Sequence, residues 1–154
     1  MTADDDSLPT DRLNRILAAV ETIEESLGVL ARKQRCSRAD YKADSDTRDI
    51  VERRFVKMTE AAIDIAEEIV KYEQGKPPTS NPASMRTLGE MDVLSGPLAE
   101  EMAQGARFRN VLSHTYGSII NHDVVYNALQ DLERYRAFVQ AVRDYLDSIG
   151  ALDD

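Results

Sequence analysis

Apolar positions along the chain recur in steps of three and four. Leu13, Ile16, Leu17, Val20, Ile23, Leu27 and Leu30 form one stripe of a 3.6-period helix beginning at Thr10, with Thr10 or Asp11 as its cap. A second, clearer stripe runs through Val51, Phe55, Met58, Ala62, Ile65, Ile69 and Tyr72, widened by Ile50, Ile63, Ala66 and Val70. That width predicts a core-facing helix rather than a narrow coiled-coil seam. Gly75 and the pair Pro77-Pro78 end it, because glycine takes a left-handed cap and proline cannot continue the ladder. Between these helices, positions 32–49 are crowded with both charges and read as a connection with frayed helix ends.

Met85, Leu88 and Met91 mark a short helix, and Ser95-Gly96-Pro97 has the form of a new helix start. Leu98, Met102, Ala106 and Leu112 carry that helix's apolar face. A last helix, capped by Asp123 and closed by Gly150, has the stripe Val125, Ala128, Leu129, Leu132, Tyr135, Val139, Val142 and Leu146. No period-two run and no Asn-Gly or Asp-Gly turn competes with this pattern. The expected architecture is all-α: an up-down bundle of four main helices plus a short one. Residues 1–9 read as a flexible acidic tail, and residues 10–150 as one helical domain.

Composition narrows the chemistry. The 154 residues hold 42% apolar side chains, one cysteine and no tryptophan, which excludes a disulfide-framed or low-complexity protein. A lone thiol, Cys36, suits a reducing cytoplasm, and no stretch is long and apolar enough to predict a membrane span. Glu-x-x-His pairs, Cys/His zinc spacings and a glycine-rich phosphate loop are all missing, so neither a metal nor a cofactor is called for. The formal charge of −9 argues against promiscuous nucleic-acid binding, which rests on Lys and Arg meeting phosphates. That charge is uneven: residues 32–54 hold eight bases against five acids. Arginine outnumbers lysine 14 to 5, a balance that suits a salt-rich medium.

One polar segment interrupts an otherwise regular helix: Arg107-Phe108-Arg109-Asn110-Val111-Leu112-Ser113-His114-Thr115-Tyr116-Gly117. If helical, Arg109, Ser113 and Tyr116 share a face, whereas His114 lies about 140° around from Arg109. Two readings of this spacing stand side by side. The segment is a polar helix end whose Arg and His cap carbonyls, or it is a reactive site. His122 reads as part of a helix start and Phe108 as core or subunit interface, while Arg107, Arg53 and Arg54 read either as RNA contacts or, as is commoner for arginine, as solvated surface.

Arg109-x4-His114-x-Tyr116 resembles the R-x4-H-x-Y pattern of HepT-type toxins in the HEPN superfamily of helical bundles. VERRFVKMTEAAIDIAEEIV likewise resembles that family's second helix, and ARFRNVLSHTYG its motif helix. The likeness spans residues 10–148. It implies the toxin of a type VII HepT/MNT toxin–antitoxin system: a metal-independent, cytoplasmic endoribonuclease cutting RNA at a homodimer cleft. Arg109 and His114 would be catalytic, Asn110 would support them, and no metal would take part. An imidazole with an unperturbed pKa of about 6.5 can serve as base or acid there. Tyr116 would be the residue AMPylated by a cognate minimal nucleotidyltransferase antitoxin, with ATP and Mg²⁺ used by that partner. The expected partners are a second copy of the chain, the nucleotidyltransferase and RNA, but no membrane and no DNA. A second function class fits the same resemblance: a weakly catalytic or non-catalytic HEPN module that dimerises and binds the nucleotidyltransferase.

Overall fold

The computed structural model describes residues 7–114 and 120–152, apart from the side chains of Ser113 and His114. Among the described residues there are seven helices and no strand: α1 (Thr10–Lys33), α2 (Arg38–Ala43), α3 (Ser45–Gln74), α4 (Asn81–Glu90), α5 (Gly96–His114), α6 (His122–Leu129) and α7 (Glu133–Ser148). The all-α bundle expected from periodicity is the fold. Four long helices, α1, α3, α5 and α7, form it, with α4 folded back on α5 and with α2 and α6 bracing one end.

Side-chain pairs give the directions. Arg12 meets Glu68 at 2.8 Å while Arg54 meets Glu25 at 3.2 Å, so α1 and α3 are antiparallel. The hydroxyls of Thr59 and Tyr135 lie 2.8 Å apart, and Tyr145 donates to Glu73, so α7 runs parallel to α3. Both apolar stripes face inward as their periods require: Ile16, Val20, Ile23 and Leu30 of α1 and Val51, Met58, Ile65 and Ile69 of α3 are all buried. Gly75 takes a φ of 76° and closes α3, and Gly150, at 73°, closes α7.

Several local expectations are corrected. Neither Thr10 nor Asp11 caps α1: its first amides bond to the Pro9 carbonyl, and Asp11 pairs with Arg15 one turn on. Leu8, assigned to the tail, packs against the core. The connection over 32–49 contains α2, capped by the Ser37 hydroxyl, and Asp44 caps α3 by accepting from the amides of Asp46 and Thr47. Asn121, not Asp123, caps α6, because Asp123 is held instead by Arg38 at 3.0 Å and Lys42 at 3.1 Å.

The single last helix is two. The Gln34 amide donates to the Leu129 carbonyl, and the Gln130 amide donates back to the Gln34 carbonyl. With the Leu129 carbonyl taken by α1's end, the ladder breaks and α7 restarts at Glu133. Leu132 stays buried across the break, so the apolar stripe continues although the helix does not.

α2 is short, and a ring cluster fixes it against α6. Buried Tyr41 packs on Tyr126 at 5.6 Å, the Tyr126 hydroxyl donates to the Cys36 carbonyl, and the Arg38 guanidinium sits 4.8 Å over the Tyr126 ring. Burial, foremost, drives the Tyr41 phenol well above the ordinary tyrosine range, so it stays neutral. No helix among the described residues is long and apolar enough to cross a membrane.

Candidate functional site

α5 carries the polar segment. Ser95 starts it as expected, its hydroxyl accepting from the Leu98 amide, with Pro97 in the first turn. Ala99, Met102, Ala103 and Ala106 are buried and seat the helix against its neighbours. Phe108 is half-buried and packs against the core. Its ring meets Phe55 edge-on at 6.0 Å, which fixes the rotation of α5 about its axis.

That rotation turns the next residue, Arg109, toward α3. One terminal nitrogen of its guanidinium lies 2.9 Å from Glu60 Oε1, and the other donates to Asn110 Oδ1 at 3.2 Å. The Arg109 side chain is only 21% exposed, and its Nε is buried with no partner among the described residues. Asn110 therefore touches Arg109. Among the described residues, two of the five guanidinium donors are anchored.

Glu60 belongs to a polar stripe that runs beside the apolar one on α3. Arg53, Lys57, Glu60, Asp64, Glu67 and Lys71 step by four and three along the helix. With Arg15 and Thr22 of α1, the stripe from Lys57 onward walls a groove of about 750 Å³. Two carboxylates inside the groove are raised. Asp64 sits above the ordinary carboxylate range, chiefly through burial and then repulsion from Glu60, with Arg109 pulling the other way. Glu67 is raised too, first by burial and then by Asp64 and Glu68. Among the described residues, no three His, Cys, Asp or Glu side chains gather closely enough to hold a metal ion.

Of the residues singled out from sequence, Arg109 and Asn110 are together on α5, and α5 reaches His114 with its backbone helical. The His114 side chain, and Tyr116 altogether, lie outside the described residues. His122 opens α6, as expected, and its Nδ1 is buried without a partner among the described residues. Glu60 is the contact that sequence reasoning missed. Its signal was the 4-3 spacing of charges on α3, which looks the same as a solvated helix face until α5 is laid against it.

Comparison with known proteins adds a family. The model of the family described as HepT-like, "Ribonuclease HepT-like", matches residues 16–142. The chain is 30% identical over 136 residues to the tRNA nuclease HepT of Aphanizomenon flos-aquae, a match covering 88% of this chain and 92% of that one. It is 27% identical over 106 residues to the mRNA nuclease HepT of Shewanella oneidensis, covering 68% of this chain and 79% of the other. In fold it matches the tri-AMPylated Shewanella oneidensis HEPN toxin solved in complex with MNT antitoxin. That match has a TM-score of 0.76 and 24% identity, and it covers 84% of this chain and 97% of that one.

Proposed function

Because the chain belongs to the HepT-like ribonuclease family, we propose that it is the toxin of a HepT/MNT pair, an endoribonuclease that cuts RNA without a metal. The observation that carries this reading is the Arg109 guanidinium, four-fifths buried and, among the described residues, anchored by Glu60 and Asn110 through two of its five donors. Such a group is set to take a phosphodiester by paired hydrogen bonds and to hold the extra charge of its transition state. The chemistry is transfer to the neighbouring hydroxyl. The 2′-oxygen attacks phosphorus as its proton passes to a base, the P–O5′ bond breaks, and an acid protonates the leaving 5′-oxygen. One strand then ends in a 2′,3′-cyclic phosphate and the other in a 5′-hydroxyl.

His114 supplies the base or acid, since an imidazole exists in both states near neutral pH. A chain with one such histidine has the second group only if two copies meet, so the working unit is a homodimer in the cytoplasm. The relatives named for tRNA and mRNA cleavage support RNA as the substrate. Tyr116 is the control point. Its phenolic oxygen attacks the α-phosphorus of ATP on a cognate nucleotidyltransferase and pyrophosphate leaves. The resulting AMP ester brings a negative phosphate toward Arg109. The tri-AMPylated toxin with its antitoxin supports that part of the reading. ATP and Mg²⁺ serve the partner, and the toxin itself uses no cofactor.

The test is growth and RNA cleavage with wild type, Arg109→Ala and His114→Ala. Arrest and full-rate cleavage by the wild type alone are expected, with only residual cleavage by the two variants, and equal arrest by all three would refute the nuclease. Intact mass after co-expression with the nucleotidyltransferase should show added AMP that disappears in Tyr116→Phe.

A further inference from the structure

A second groove lies between α1 and α3, on the other side of Lys57 from the carboxylates. It has a volume of about 520 Å³, and five of its lining side chains are cations: Arg32 and Lys33 from α1, and Arg53, Arg54 and Lys57 from α3. In a chain with 28 acids to 19 bases, acids within reach would be expected to neutralise such a cluster. They do so once. Arg54 pairs with Glu25 at 3.2 Å, whereas Arg32, Lys33, Arg53 and Lys57 make no ion pair among the described residues. After the Thr47 hydrogen bonds, Lys33 also helps to hold the Asp44 carboxyl down. Like charges held together without paired acids cost stability, and an anion lying between them offsets that cost. Ile50, 39% exposed, adds an apolar patch to the same groove.

The groove is also continuous with the site. Lys57 lines both α1–α3 grooves, and Glu60, the anchor of Arg109, is three residues further along the same face of α3. From Arg53 to Glu60 the stripe covers about 10 Å at 1.5 Å per residue. A polyanion lying in the groove is thereby brought beside Glu60 and the Arg109 guanidinium it holds, although Arg109 itself lines neither groove. A flexible chain with a charge on every unit and a ribose and base between charges matches such a cationic track with an apolar edge.

We propose that this groove, built on Arg32, Lys33, Arg53 and Lys57, binds the phosphodiester backbone of single-stranded RNA flanking the cleaved bond. The inference rests on the ribonuclease reading, whose Arg109 site the groove feeds. It assigns positioning, not chemistry, to these four cations.

The test uses the full chain and a fluorescent single-stranded RNA carrying 2′-O-methyl groups, which binds but cannot be cut. Anisotropy titrations over a range of KCl give affinity and its salt slope. Each single-strand phosphate contact contributes about 0.7 to that slope, so Arg53→Ala/Lys57→Ala should lower it by about 1.4, which is about 25-fold in affinity at 0.1 M salt relative to 1 M. Arg32→Ala/Lys33→Ala, from the opposite wall, should do the same. A control pair, Arg86→Ala/Arg136→Ala, changes the net charge equally on exposed surface elsewhere and should leave the slope nearly unmoved.

Both groove pairs behaving like the control would overturn the groove while leaving the nuclease reading intact, provided the wild type still cleaves unmodified RNA. A wild type that neither binds nor cleaves RNA would overturn both. Groove variants that keep RNA affinity but no longer bind the nucleotidyltransferase would overturn the RNA assignment in favour of an acidic protein surface.

Discussion

Replacing Glu60 with alanine should slow RNA cleavage although Glu60 never touches the substrate. Its carboxylate lies 2.9 Å from the Arg109 guanidinium and, with Asn110, sets where the remaining donors point. A charge-assisted hydrogen bond contributes about 1.5–3 kcal/mol when shielded. Here the Glu60 side chain is 48% exposed, so screening brings the pair down to about 1 kcal/mol. If all of that acts on the transition state, kcat falls about fivefold, since 1.36 kcal/mol is tenfold in rate. Misplacing the guanidinium by about an ångström adds more, up to about a hundredfold in all. Glu60→Gln keeps an acceptor oxygen and should retain most of the rate. The assay is steady-state cleavage of a fluorogenic RNA, with kcat and KM separated and thermal midpoints measured on the same samples. A double-mutant cycle isolates the route: in an Arg109→Ala background, Glu60→Ala should cost nothing further. Faster cleavage by Glu60→Ala would refute the reasoning, because Glu60 would then compete with phosphate for Arg109 rather than hold it in place. So would an undiminished loss in the Arg109→Ala background.

Three further outcomes test the fold around the site. Tyr135→Phe removes the partner of Thr59 inside the core and leaves a buried hydroxyl unpaired, which should cost about 1–3 kcal/mol, or about 2–4 °C in Tm per kcal/mol for a chain of this size. Gly89→Ala would bring a Cβ within 2.7 Å of the Ala99 Cβ, where α4 crosses α5. Overpacking of about 1–3 kcal/mol should appear in a denaturant melt and weaken the seat of α5. Glu67→Gln should stabilise the protein at neutral pH. Burial, then Asp64 and Glu68, raise the folded-state pKa of Glu67, so the folded chain binds the proton more tightly than the unfolded one. The stability this proton brings is complete below the unfolded carboxylate pKa of about 4.3 and is lost as pH rises through the raised folded value. The glutamine's advantage in Tm should therefore shrink as the pH falls through that raised value and be gone below about 4.

What was legible in the sequence depended on how local its cause is. The stripes of α1 and α3 follow from period alone, and their residues are buried as that period requires. The break between α6 and α7 was hidden because Gln34 and Gln130 make it, across 96 positions. α2 escaped notice since six residues are too few to show a stripe, and Tyr41 packs on Tyr126 from far along the chain. Asn121 and Asp123 are equally good caps by type; Arg38 and Lys42 decide between them by drawing Asp123 away. At the site, Arg109 could be picked out because a motif marks it, and Asn110 because it is next in the chain. Glu60 could not, because nothing in a helix's own spacing says which of its charged faces another helix will cover.

The same limit explains why net charge misleads about substrate. A total of −9 describes the field far from the molecule, which salt screens beyond about 8 Å at physiological strength. Contact with RNA is decided inside that distance, where sign varies along a single helix. On α3 the face changes from cations at Arg53 and Lys57 to carboxylates at Glu60, Asp64 and Glu67 within about 20 Å. A backbone phosphate is attracted over the first part and repelled over the second, and Arg109 stands at the boundary, bound to Glu60. If RNA lies on the proposed track, these carboxylates act as a stop, opposing its sliding further along the α1–α3 groove toward Lys71. An acidic surface elsewhere lowers non-specific binding, so the few unpaired cations account for most of where RNA can rest. Neutralising the stop, as in Asp64→Asn/Glu67→Gln, should tighten RNA binding while blurring the position of the cut, read as a wider spread of cleavage products from one end-labelled strand. Unchanged products with unchanged affinity would show that the carboxylates take no part in placing the strand.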